Sequence, residues 1–170
     1  MHERASPPAR IDDPIRPVQD KRGFFMLPQA PTESGYYTYG KLDGEPDKGA
    51  NQYPHPIMMQ AILRVGLEWQ AIDKRRFGVG NISLAGGPKH RDHAGHRNGL
   101  QVDMRALRKD GLERPVMWTD RQYDKEATAR LIGLFRTFAP VRLVLFNDMS
   151  IPFVGWAKDH DDRFHLELMG

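Results

Sequence analysis

Six stretches of the chain place their apolar side chains with a structural period. Over 56–73, Ile57, Met58, Ala61, Ile62, Val65, Trp69 and Ile72 return at steps of three and four. That spacing predicts an amphipathic helix, and Lys74, Arg75 and Arg76 follow as a basic end that complements its dipole. Over 123–138, Ala127, Leu131, Leu134, Phe135 and Phe138 form a second helical stripe. Asp120 or Asp124 is available to cap its start, and Pro140 ends it. The other four read as strands. Residues 77–84 are apolar but loosened by glycines, and 141–146 form a continuous apolar run that predicts a buried strand. From Leu100 the chain alternates, with Leu100, Val102 and Met104 on one face and Gln101, Asp103 and Arg105 on the other. Near the end Phe164, Leu166 and Leu168 oppose Arg163, His165 and Glu167 in the same way. The aromatic run 35–40, bounded by glycines, fits a short strand, a groove wall or surface aromatics packed on the core.

The order is therefore helix, strand, strand, helix, strand, strand. Its connections are too short for a sheet that is parallel throughout. The fold class expected is α+β, a central antiparallel or mixed β-sheet with helices packed on it. A length of 170 residues suits one domain with a real core. Residues 1–35 hold six of the 13 prolines and no period, so 1–34 is expected to be an extended arm and 35–170 the domain.

Composition narrows the classes of function. No apolar run approaches the ~18 residues of a membrane span, so no membrane insertion is expected. The first residues, with Glu3, Arg4, Pro7 and Pro8, lack the apolar centre of a secretory signal. A protein acting outside the cytoplasm would then leave by another route or have lost its signal. There is no cysteine, which removes disulfides, thiolate zinc fingers and cysteine nucleophiles. The net charge of +3 comes from 25 basic residues scattered among 22 acidic ones. It is weakly compatible with an acidic polymer, but no nucleic-acid motif is present.

The chemistry concentrates in 90–103, where His90, His93 and His96 are followed by Gly99 and then by Asp103 on a strand. Imidazole and carboxylate both ligate divalent metals, zinc above all. Two ligands do not make a catalytic zinc site, and the only other close histidines are His160 and His165. The expectation is a Zn2+ site of His96, Asp103 and one late histidine. If the Asp103 and His165 strands are neighbours, both side chains emerge on the same face. With no cysteine available, such a site leans towards catalysis rather than structure.

The ordered set His93-Ala94-Gly95-His96-Arg97-Asn98-Gly99-Leu100-Gln101-Val102-Asp103, preceded by Gly86-Gly87 and followed by a late Phe-His-Leu-x-Leu strand, resembles the penicillin-insensitive murein endopeptidases. It is similar also to the wider group of D-Ala-D-Ala metallopeptidases and lysostaphin-type enzymes. The resemblance spans roughly 35–168. It implies that His96, Asp103 and His165 hold zinc and that His93 lies beside the metal. One departure is evident: where the family often ends His-x-x-His-x-His, this chain has His160-Asp161-Asp162-Arg163-Phe164-His165, with Arg163 at the middle histidine. The carboxypeptidase branch places a carboxylate base three residues before the last ligand, here Asp162. His160 and Asp162 thus both stand as candidate bases. Arg163 is a candidate to stabilise an oxyanion or to hold a substrate carboxylate.

The function expected is a zinc-dependent peptidoglycan endopeptidase that cuts amide bonds in cross-linked stem peptides, acting in the periplasm or cell wall. It would be a delivered antibacterial effector, with an immunity or delivery protein as partner, or a lysin. The alternatives are a D,D-carboxypeptidase or dipeptidase on wall peptides, and a silent zinc-containing module that binds wall peptides or a protein.

Overall fold

In the computed structural model, which describes residues 19–29, 33–42, 45–88 and 95–170, the first helical period folds as α1 (Pro56–Gln70). His55 caps its start, its ring accepting from the Ile57 N–H, and Pro56 occupies the first turn, where no amide proton is needed. Met58, Ala61, Ile62, Val65 and Trp69 turn inward and are buried. The helix stops three residues short of the expected end, and Ile72 is half exposed. Arg75 is not the helix-end countercharge that the sequence suggested. It pairs instead with Asp73 at 2.6 Å and with Asp124 at 2.8 Å.

That second contact also explains which aspartate caps α2 (Lys125–Phe138). Asp124, not Asp120, accepts from the Ala127 N–H, while its other oxygen takes Arg75 from the far end of α1. The helix starts after Tyr123 because Tyr123 turns into the core and donates to Asp148 at 2.7 Å. The buried stripe is Ala127, Thr128, Leu131, Ile132 and Phe135; Phe138 is partly exposed.

The strands are β1 (Tyr36–Thr38), β2 (Lys41–Leu42), β3 (Glu45–Pro46), β4 (Phe77–Val79), β5 (Gln101–Arg105), β6 (Val141–Leu145) and β7 (Arg163–Leu168). Five of them form one sheet in the order β1-β4-β5-β7-β6, and β2 and β3 make a separate small hairpin. β1 and β4 run parallel, joined by the crossover through α1; the remaining pairs are antiparallel. The fold is α+β with a mixed sheet, as its alternating patterns predict. Val102, Met104, Phe164 and Leu166 join Trp69, Phe77, Leu131 and Phe135 in one buried cluster, which sets both helices against the sheet. Among the described residues no helix is long and apolar enough to cross a membrane.

The expectations for 77–84 and 141–146 both need correction. β4 ends at Val79 because the chain then turns to a different partner: Ser83 bridges Gln52, and the Ile82 amide donates to Asn51. β6 is not buried. It lies at the sheet margin with β7 as its one neighbour in the ladder, and Arg142 and Leu143 face solvent. The aromatic run 35–40 does form a strand. The Tyr37 and Tyr39 rings lie over Gly78 and Gly80, where an added Cβ would come within 2.8 and 2.6 Å of them. The part of the arm at 19–29 lies on the domain and contributes Leu27 to the core; residues 1–18 lie outside the described residues.

Candidate metal centre

Strand register creates the site. β5 and β7 pair so that Asp103 lies directly opposite His165, with Arg105 opposite Arg163 one step of the pleat away. Directly opposed residues of an antiparallel pair share a face, with Cβ atoms ~5 Å apart. His165 Nδ1 lies 2.9 Å from Asp103 Oδ1, a separation that serves a hydrogen bond or two ligands of one cation.

The third member arrives from the loop before β5. His96 Nε2 is 3.5 Å from the same Asp103 oxygen, and the two imidazole rings stand edge to face with centroids 5.0 Å apart. The other ring nitrogen, Nδ1, lies 2.9 Å from the Ile82 carbonyl oxygen. A carbonyl can only accept, so Nδ1 carries the proton and Nε2 keeps its lone pair for a ligand. This is the arrangement by which neighbouring groups orient a metal-binding imidazole.

The His96 backbone is held in the left-handed region, φ 55, which few residues with side chains adopt. Three contacts hold it there. Gln101 accepts from the His96 amide at 2.7 Å, and Gly95 leaves room for that side chain. Arg22, from the arm, donates to the Arg97 carbonyl at 2.6 Å and also binds Leu84. Gly99, at φ 73, passes so close to residues 54–55 that a Cβ would collide with their backbone, and its carbonyl accepts from the His55 amide.

The electrostatics favour a cation. Burial alone would raise the pKa of Asp103, but the His165 and His96 imidazoles beside it outweigh burial and hold the carboxyl well below the usual range. A buried anion faced by two imidazoles results. Ligand atoms of His96, Asp103 and His165 all lie within 4.8 Å of one another. Four ligands around zinc at ~2.0–2.2 Å stand roughly 3.3 Å apart, close to the 2.9 and 3.5 Å seen here. The triad could therefore hold a metal ion, and its nitrogen and oxygen donors fit zinc. His96 and Asp103 are buried while His165 is partly open, so the approach is from the His165 side.

The other predicted residues fall into distinct places. The His160 ring lies 6.0 Å from that of His165, at right angles to it, and its Nδ1 is 2.7 Å from the Lys158 carbonyl. Asp162 binds Arg163 at 2.9 Å, and Arg163 Nε reaches to 4.0 Å from Asp103 Oδ2. Burial opposes the Arg163 charge, but Asp103 and Asp162 outweigh it and raise its pKa, so it stays a cation. His93 and His90 lie outside the described residues.

The sequence did not single out several groups that complete the site. Asn147 is buried; its amide donates to the His160 carbonyl, and its side chain donates to Asp161 at 2.9 Å. Trp118 donates to the same Asp161 oxygen at 3.0 Å. A pocket of about 330 Å³ opens beside Asp103, walled by Tyr39, Lys41, Asn81, Arg105, Asp162 and Arg163. Of these, Asp162 and Arg163 were already candidates, Tyr39 belongs to the aromatic run read as a possible groove wall, and Arg105 lies on the Asp103 face of its strand.

No family model and no curated protein sequence matches this chain.

Proposed function

We propose that the chain is a zinc-dependent peptidase that hydrolyses amide bonds in the cross-linked stem peptides of peptidoglycan. One observation carries the reading. A buried carboxylate and two imidazoles, from a β5–β7 register pair and a strained loop, converge at ligand spacing beside an open pocket. The ordered motif from His93 to Asp103 and the terminal His165 strand supply the resemblance to murein endopeptidases.

His96 through Nε2, Asp103 through its carboxylate and His165 through Nδ1 would hold the ion. When bound there, zinc supplies Lewis acidity, polarising a carbonyl and acidifying water. The protein's own groups do the rest. His160 is the better placed base: with Nδ1 donating to Lys158, Nε2 is free to take a proton from water and deliver it to the departing amine. Asp162 is already engaged by Arg163. Arg163, charged beside Asp103, would steady negative charge developing on the substrate carbonyl oxygen. Action in the periplasm or cell wall follows from that substrate, and delivery as an antibacterial effector or lysin would suit it.

The test combines metal content with digestion of purified sacculi. The purified protein should carry about one zinc per chain and release muropeptides whose masses show split cross-links. Asp103→Asn and His165→Ala should each abolish both. Full digestion by a chelated, metal-free sample would overturn the reading. Release of terminal alanine without loss of cross-links would make the enzyme a carboxypeptidase instead.

A further inference from the structure

The pocket beside the triad contains a cation with no counter-ion among the described residues. Arg105 lies two residues beyond Asp103 on β5 and projects to the same side of the sheet, about 7 Å along the strand. Its register partner Arg163 is occupied by Asp162 and stands near Asp103. Arg105 is not occupied in this way. Its guanidinium lies over the Tyr39 ring at 4.0 Å, and Nη1 donates to the Glu113 carbonyl at 3.1 Å. Among the described residues no carboxylate stands within ion-pair distance of it, and its buried Nε has no acceptor. The Tyr39 hydroxyl beside it is likewise buried with no partner. Lys41, exposed on β2, lines the same pocket. A second hollow of about 360 Å³ shares Tyr39, Gly40, Lys41 and Arg105 with the first, so Arg105 sits where two binding spaces meet.

Unpaired cations in a concave site attract anions. Three basic side chains against two acidic ones line the pocket next to the triad, and a divalent ion on Asp103 would make it more positive. A guanidinium held over an aromatic ring presents its outer nitrogens with little rotamer freedom left to lose. The planar fork matches a carboxylate in particular.

We propose that this pocket is a carboxylate subsite, with Arg105 as its principal cation and Lys41 as its second, selecting peptides with a free carboxylate close to the bond being cut. The proposal rests on the peptidase reading and adds the substrate feature that the enzyme requires. The carboxylate comes either from a side chain of the stem peptide or from its free C-terminus, and amidation of one or the other distinguishes them.

The experiment uses the full chain loaded with zinc and a synthetic cross-linked stem-peptide dimer in three forms: unmodified, amidated at side-chain carboxylates, and amidated at terminal carboxylates. One of the two amidations should raise KM at least tenfold with kcat within twofold. Arg105→Gln should bring the free-to-amide ratio below threefold, and Lys41→Gln should lower it partially. Lys41 is exposed, so that second variant reports even where loss of the Arg105 stack lowers the melting temperature. Equal KM for all three peptides, or full discrimination surviving in Arg105→Gln, would overturn the subsite. If the loaded wild type cleaves none of them, the peptidase reading falls separately. The subsite is then judged by calorimetric Kd values for the same set, with the same tenfold ratio expected and equal affinities refuting it.

Discussion

Asp103 concentrates the chemistry of the site in one side chain. It faces both imidazoles, keeps its charge against the cost of burial and stands near Arg163. Its neighbours divide the remaining work, and the division between His160 and Asp162 is measurable. His160→Ala should lower kcat for stem-peptide hydrolysis by about 10²–10⁴-fold, the usual worth of a general base, with zinc content unchanged. Asp162→Asn, which loosens Arg163 but leaves the imidazole in place, should cost about tenfold or less. Kinetics paired with metal analysis on both variants checks the assignment, and the opposite ranking would make Asp162 the base. Ligand types were readable from residue identity alone. The tautomer of His96 was not, because it depends on the Ile82 carbonyl, fourteen positions away.

At the scale of elements, the late strand and the mid-chain strand were legible because each alternates cleanly. Their pairing, Asp103 against His165, is what turns two patterns into one site. The limits of β4 and the exposure of β6 were not legible. An apolar run reads alike in a central strand and at a margin; position in the sheet decides which it becomes. The arm shows the same dependence on context. Asp20 accepts from Arg22, Phe24 and Gly86, and Arg22 reaches on to the loop carrying His96. Burial alone would raise the Asp20 pKa, but these hydrogen bonds lower it to about 2. The unfolded value is ~3.9, so the carboxylate contributes stability that is full above roughly pH 5 and is lost as pH falls through 2. Asp20→Asn should therefore be less stable than wild type in urea at pH 6. The gap should narrow steadily at pH 4, 3 and 2, and a gap independent of pH would remove Asp20 from this role.

For the whole molecule, the triad couples metal binding to the fold. His96 and Asp103 come from one segment and His165 from another, 62 residues beyond Asp103, and they meet only when β5 and β7 have zipped. An ion that binds the folded state alone stabilises it by RT ln(1 + [L]/Kd), about 2.7 kcal/mol when free metal is one hundredfold above Kd. Zinc should raise the thermal midpoint of the wild type by several degrees in a calorimetric scan. In His165→Ala the same addition should raise it far less, and an equal rise in both would place the binding elsewhere.

Local pattern determined that there are two amphipathic helices, a late strand with a histidine on its polar face, and a histidine-rich loop feeding a strand with an aspartate. Those features depend on neighbours within a few residues, where backbone periodicity acts. Only tertiary structure decided that Asp124 rather than Asp120 caps α2, that β6 lies at the margin, and that Arg105 lies over Tyr39 with no counter-ion among the described residues. Each of these is set by a partner brought from far along the chain, and no short-range period encodes such a meeting.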